Sequence, residues 1–166
     1  MTPLRLEHRF ACSADALYRL VSDPVFDAGL LDTIEVDSEL LSREETLGGF
    51  VARYRFRPRR KMPSFMKQTI GKTMEWVEER DWCHDDLSHR WRIFPSVGSG
   101  RAEMSGTYSI HTLADGGSLR RVEGEFLVRA PLVGRSIERF VVQQTADAFE
   151  RGAAYIHDFL RTGGGL

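Results

Sequence analysis

The sequence predicts an α+β domain in which a seven-stranded antiparallel sheet receives one long C-terminal helix. Three observations carry that prediction. From Gly134 to Arg161 no proline interrupts the chain, and apolar residues recur at Ile137, Phe140, Val141, Ala148, Phe149, Ala153, Ile156, Phe159 and Leu160. Arg135, Glu138, Arg139, Asp147, Glu150, Arg151 and Asp158 fall off that stripe, which is helical spacing. Such a helix spans about 40 Å at roughly 1.5 Å per residue and needs a large surface to lie on. Upstream, short runs alternate apolar and polar residues with a period of two, separated by turn residues, with two helical stretches after the first run.

The first run, Leu4 to Ala11, sets Leu4, Leu6, His8 and Phe10 against Arg5, Glu7 and Arg9. Ser13 is the expected N-cap of a helix carrying Ala16, Leu17, Leu20 and Val21, which stops before Pro24. Val25 to Leu31 form a second short helix, and Thr33 to Arg43 a strand with Ile34, Val36 and Leu40. Gly48-Gly49 marks the turn into the clearest alternation of the chain. There Phe50, Ala52, Tyr54 and Phe56 share one face, and Arg53, Arg55 and Arg57 the other; Pro58 ends it. Met62 to Gln68 form a loop or short helix. The next strand, Thr73 to Glu79, points Met74 and Trp76 inward, and Glu75, Val77 and Glu79 outward beside the arginines. Asp81 to Ser88 form a polar connection. A fifth strand holds Trp91 and Ile93, followed by a Gly98-Ser99-Gly100 turn. A sixth aligns Ala102, Met104, Gly106, Tyr108 and Ile110. Asp115-Gly116-Gly117 is a hairpin signal into the seventh, Arg121 to Ala130, with Val122, Phe126 and Val128 on one face and Glu123, Glu125 and Arg129 on the other. Pro131 and Gly134 turn the corner into the long helix. Residues 1–162 therefore form one domain, and 163–166 a flexible tail.

With 166 residues, the chain can bury a sizeable core; 42% apolar and 28% charged residues are ordinary for a globular protein. A net charge of −1 leaves any electrostatic function to local clusters. Two cysteines, Cys12 and Cys83, without CxxC spacing, fit reduced thiols. The N-terminus lacks an apolar signal core, and eighteen apolar residues never run together, so the expected location is the cytoplasm.

The order of elements resembles the START-like (SRPBCC) superfamily with its helix-grip fold, to which birch-pollen-allergen proteins, lipid-transfer domains and aromatic polyketide cyclases belong. So does the ending Glu-Gly-Glu-Phe-Leu-Val-Arg-Ala-Pro-Leu-Val-Gly-Arg-Ser-Ile-Glu-Arg from Glu123 to Arg139. Ser22-Asp23-Pro24, Pro63-Ser64-Phe65 and the corner Pro131 to Gly134 resemble most an uncharacterised bacterial branch of it. The resemblance spans nearly the whole chain and implies a hydrophobic cavity between sheet and helix. It implies no catalytic residue set, because the superfamily shares a cavity and not a chemistry.

The ligand-binding candidates are the inward side chains Tyr54, Phe56, Trp76, Trp91, Ile93, Met104, Tyr108 and Phe126, facing Ile137, Val141 and Gln144 of the helix. Each is also a reasonable core residue; as a set on a curled sheet they suit a cavity wall, with tyrosine hydroxyls to orient a ligand. Gln144 fits a ligand contact and a solvated amide equally well. From Thr46 to Met74 the chain has no acid, and Arg59, Arg60 and Lys61 stand beside Phe65 and Met66. Basic and apolar residues on one loop suit either a solvated face or docking to an anionic lipid surface. Base stacking would want more exposed aromatics, so no nucleic acid is expected.

Cys83, His84, Asp85, Asp86 and His89 match no zinc spacing, and His8, His111 and His157 read as surface or boundary residues; no metal or other cofactor is expected. Ser99 lacks a full GxSxG and its elbow, and neither a Walker A motif nor GxGxxG occurs. With only tyrosines legible inward, the sequence favours binding of a hydrophobic or amphipathic small molecule, such as a lipid, isoprenoid or polyketide-like compound. The alternative is a cyclase or dehydratase using Tyr54 or Tyr108, although an unaided phenol near pKa 10 is a poor base.

Overall fold

The computed structural model describes residues 1–70, 74–96 and 100–163, and its architecture is the expected helix-grip arrangement. The strands are β1 (Thr2–Phe10), β2 (Val36–Thr46), β3 (Gly49–Pro58), β4 (Trp76–Cys83), β5 (Ser88–Pro95), β6 (Ala102–Thr112) and β7 (Ser118–Val128). The helices are α1 (Ala14–Val21), α2 (Pro24–Thr33), α3 (Ser64–Ile70) and α4 (Gly134–Arg161). The sheet is antiparallel in the order β1-β7-β6-β5-β4-β3-β2, so the first strand pairs with the last. Of the expected tail, Gly164 to Leu166 lie outside the described residues, as do Gly98 and Ser99 of the predicted turn and Thr73 at the predicted start of the fourth strand.

The motifs behind the resemblance have local work to do. Ser13 Oγ accepts from Ala16 N at 3.2 Å, capping α1. Asp23 Oδ1 accepts from Val25 N and Phe26 N, and Pro24 opens α2 at a position where its missing N–H costs nothing. At the Pro131 corner, a Cβ on Gly134 would stand 2.3 Å from Val128 O, so only glycine fits there as the chain turns into α4.

The pairing registers fix rows of inward side chains across the sheet. One row is Phe50, Trp82, His89, Tyr108, Val122 and Leu6; the next is Ala52, Arg80, Trp91, Gly106, Gly124 and Leu4. The third is Tyr54, Glu78, Ile93, Met104, Phe126 and Thr2, followed by Phe56, Trp76 and Pro95. Outward, Arg55 and Arg57 reach Glu75 at 3.2 and 2.6 Å and Arg53 reaches Glu79 at 3.7 Å, as the alternation predicts. Each exposed pair is worth only a few tenths of a kcal/mol.

The packing of α4 concentrates on β1, β7 and α2. Leu30 of α2 lies against Gly152, and Phe26 meets the Tyr155 and Phe159 rings at 5.4 and 5.0 Å. Among the described residues no helix is long and apolar enough to cross a membrane.

The alternation misplaces several residues. Ile34 caps the end of α2 and does not lie in β2, whose side chains beyond Val36 are exposed. Glu138, predicted off the stripe, is buried: its carboxylate accepts from Val128 N (2.9 Å) and Thr2 Oγ1 (2.7 Å) and meets the amino terminus at 3.3 Å. Burial alone would raise its pKa, but these donors outweigh it and hold the carboxyl below its ordinary value. His8, read as a surface or boundary residue, is likewise buried.

Candidate functional site

The predicted wall divides in two. Phe56, Trp91, Met104, Tyr108, Phe126 and Ile137 are buried, whereas Tyr54, Trp76, Ile93, Val141 and Gln144 remain partly exposed. α4 packs on β1 and β7 more closely than on β3–β5. Two depressions lined by described residues open away from this wall. One is bounded by Arg5, Glu7, Arg121 and Glu123 on the outer face, the other by Gly48, Cys83 and Asp86 at the β4–β5 turn.

Trp91 lies over a floor of two glycines. A Cβ on Gly124 would stand 2.3 Å from Trp91 Cζ2, and one on Gly106 2.5 Å from the same atom, so the indole occupies the volume that two side chains would take. Tyr54 and Phe56 stack at 5.8 Å, and Phe56 meets Trp76 at 5.7 Å, which makes the β3–β4 end of the wall a continuous aromatic surface. Trp76 Nε1, Trp82 Nε1, Trp91 Nε1 and His89 Nδ1 are buried without a hydrogen-bond partner among the described residues.

The inward face is not free of charge, which corrects the sequence reading. Arg80 points inward between Trp76 and Trp82, donating Nε–H to Glu78 Oε1 (2.7 Å) and Nη1–H to Asp27 Oδ2 of α2 (3.4 Å). Its guanidinium also stands 5.0 Å from the Tyr54 ring and 5.5 Å from Phe56. Burial alone would lower the Arg80 pKa, but Glu78 and Asp27 outweigh it and hold the cation. Desolvation pushes the Asp27 carboxyl upward, partly offset by Arg80, and pushes the Tyr54 phenol upward. His89, buried and stacked 4.8 Å from Tyr108, is held neutral well below its ordinary value by burial and by Arg80.

A second buried cation fastens α4 to the sheet. Arg120 lies among Phe10, Tyr108 and Phe149, 5.2 to 6.0 Å from each ring centre. Its Nη2 donates to His8 Nδ1 (3.0 Å) and Phe149 O (3.1 Å), so His8 carries its hydrogen on Nε2 and donates to Glu150 Oε1 at 2.8 Å. Burial, and next the Arg120 charge, push the His8 pKa down.

The signal for Arg80 was present: Trp76, Glu78, Arg80 and Trp82 share one phase, with tryptophans at both ends. Ending the strand at Glu79 and reading Asp81 to Ser88 as a polar connection hid it, whereas β4 runs on to Cys83. Arg120 continues the Val122 phase, one residue upstream of the predicted start of that strand.

The predicted docking cluster is mostly engaged within the chain. Arg59 pairs with Asp32 (2.9 Å) and Asp37 (2.8 Å), and Arg60 with Glu35 (2.9 Å) and Asp147 (3.3 Å). The acids come from α2, β2, their junction and α4, which the acid-free local sequence concealed. Met66 is buried in α3 and not exposed, because α3 turns that side of the helix inward; Phe65 is exposed beside Phe140 at 6.0 Å, and Lys61 is exposed. His84 accepts or donates at Nδ1 with Tyr18 Oη at 2.7 Å, and Cys83 Sγ faces Asp86 at 3.5 Å. Burial pushes the Tyr18 phenol to about 12.

Residues 5–160 match a family described as proteins of unknown function, DUF2505. The chain belongs to this family. The match includes β2 to β7, most of β1, the Asp27–Arg80–Glu78 cluster and nearly all of α4. No curated protein sequence matches the chain. Among solved structures it is similar to TTHA0849 from Thermus thermophilus, with 20% identity, TM-score 0.68, and 99% of this chain and 100% of the other covered. It is similar to the Zhui aromatase/cyclase from Streptomyces sp. R1128 (17%, 0.67, 99% and 100%) and to a START superfamily protein from Mycobacterium smegmatis (15%, 0.65, 95% and 98%). At these identities the likeness establishes the fold, START-like and helix-grip.

Proposed function

We propose that the protein binds a hydrophobic or amphipathic small molecule, for carriage or sensing, between the inward face of β3–β5 and α4. A lipid, an isoprenoid or a polyketide-like compound fits the chemistry of that face. The observation that carries the reading is an inward-facing aromatic wall that is not fully buried: Tyr54, Trp76 and Ile93 on the sheet and Val141 and Gln144 on α4 are half-buried. Apolar surface kept partly open is worth about 25 cal/mol per Å² to a ligand that covers it. The unpartnered indole N–H groups of Trp76 and Trp91 add donors whose isolation costs about 1–3 kcal/mol each until an acceptor reaches them. Phe56, Trp91, Met104, Tyr108, Phe126 and Ile137 form the buried back of the site.

Titration with Nile red, a neutral hydrophobic dye, tests the reading. Wild-type protein should take up one dye with a blue shift, and Val141→Trp, which fills the space, should abolish uptake while melting normally. Uptake unchanged in Val141→Trp would place the dye elsewhere and reject the site.

A second reading, a cyclase or dehydratase, gains from one observation: Tyr54 stands beside Arg80, whose partners include a carboxyl with a raised pKa, so acid and base groups converge. Transient contact with an anionic membrane would use Lys61 and Phe65, with Arg59 and Arg60 exchanging internal carboxylates for lipid phosphates. We place this activity in the cytoplasm, with neither nucleic acid nor metal as a partner.

A further inference from the structure

We infer that the Asp27–Glu78–Arg80 cluster receives the polar end of the ligand and selects a neutral hydroxyl or carbonyl over a carboxylate. The inference rests on the binding site proposed above and names the chemistry at one end of it.

The cluster joins two elements, Asp27 on α2 and Glu78 and Arg80 on β4, beside Tyr54 on the inward face. Its side chains keep 17%, 16% and 14% of their surface, so they are largely withdrawn from water yet reachable. Two carboxylates surround one guanidinium. A ligand carboxylate would bring a third negative charge to a single positive one, in a setting where charges are weakly screened.

Hydrogen-bond capacity points the same way. A guanidinium has five N–H donors. Arg80 spends Nε–H on Glu78 and one Nη1–H on Asp27, and Nη2 has no partner among the described residues. A hydroxyl or ketone oxygen can accept from Nη2 without altering the charge balance, and a hydroxyl can also donate to a carboxylate oxygen. A purely structural ion pair would hold α2 on the sheet equally well but would not discriminate between head groups.

The test is a competition series at one chain length, with dodecanol, dodecanoic acid and dodecylamine displacing Nile red from the wild-type protein, Glu78→Gln and Asp27→Asn. Dodecanol should bind at least about tenfold more tightly than dodecanoate at pH 8, the scale of one charge-assisted hydrogen bond. Each variant removes one negative charge and should tighten dodecanoate by about tenfold while leaving dodecanol within about threefold. Circular dichroism confirms folding, and Glu78→Gln alone decides if Asp27→Asn does not fold. Dodecanoate binding as well as dodecanol, dodecylamine binding best, or discrimination unchanged in the variants would each overturn the inference and leave the binding site standing. Failure of all three probes to displace the dye would reject the site and the inference together.

Discussion

Gly124→Ala probes the floor under Trp91, on which the shape of the aromatic wall depends. The new methyl carbon would stand 2.3 Å from Trp91 Cζ2, 2.6 Å from Cη2 and 3.0 Å from Ser105 O. An indole cannot yield as a flexible chain end does, so either the ring tilts off the sheet or the strand shifts. Overpacking of this kind costs about 1–3 kcal/mol. Gly48, with nothing within 4 Å of an added Cβ, is the matched control and should change stability by no more than about 0.5 kcal/mol. Urea unfolding followed by circular dichroism reads both, with the m-value unchanged if the folded state stays compact. Repeating Gly124→Ala in a Trp91→Leu background completes a cycle, in which most of the cost should vanish because the obstructing ring is gone. A cost that persists undiminished without the indole, or no cost at all, would refute the proposed floor.

Stability should fall on acidification. His8 and His89 have folded-state pKa values below the ordinary 6.5, so below that pH the unfolded chain binds more protons; their contribution is complete above about 6.5 and is lost as pH falls toward the folded values. Urea midpoints across this range should slope less in His8→Gln. Asp27 acts with the opposite sign: its pKa is raised, so its contribution is present below 3.8 and lost as pH rises through the folded value, and Asp27→Asn should remove that slope. Glu138→Ala leaves the part-buried Val128 N–H without its acceptor and should cost about 1–3 kcal/mol in the same unfolding assay. Tyr54→Phe should weaken ligand by roughly 0.5–1.5 kcal/mol if the site only binds. A turnover loss of about a hundredfold on a polyketide substrate, with affinity unchanged, would favour the enzymatic reading.

The fold was legible because it depends on periodicity and punctuation. Alternation placed Phe50 to Phe56 on one face, Asp115-Gly116 marked the last hairpin, and a proline-free apolar stripe marked α4. What stayed hidden were charges that the fold brings inside. Glu78 and Arg80 look like surface residues until Asp27 arrives from α2 to balance them, and no local pattern announces a partner 53 residues away. Arg59 and Arg60 illustrate the converse. They look like a free basic patch, but their acids lie far along the chain, at Asp32, Glu35, Asp37 and Asp147. Buried Glu138 belongs with the first group, since its donors are the chain's own first residues and a backbone amide of β7.

Native mass spectrometry of freshly purified protein tests the central claim, that a small molecule occupies the space between β3–β5 and α4. The account predicts an adduct of one small molecule per chain, released on denaturation, extractable into organic solvent and missing from Val141→Trp. Bare chain mass alone, with no adduct re-formed by any of the hydrophobic and amphipathic compounds offered to it, would contradict the account.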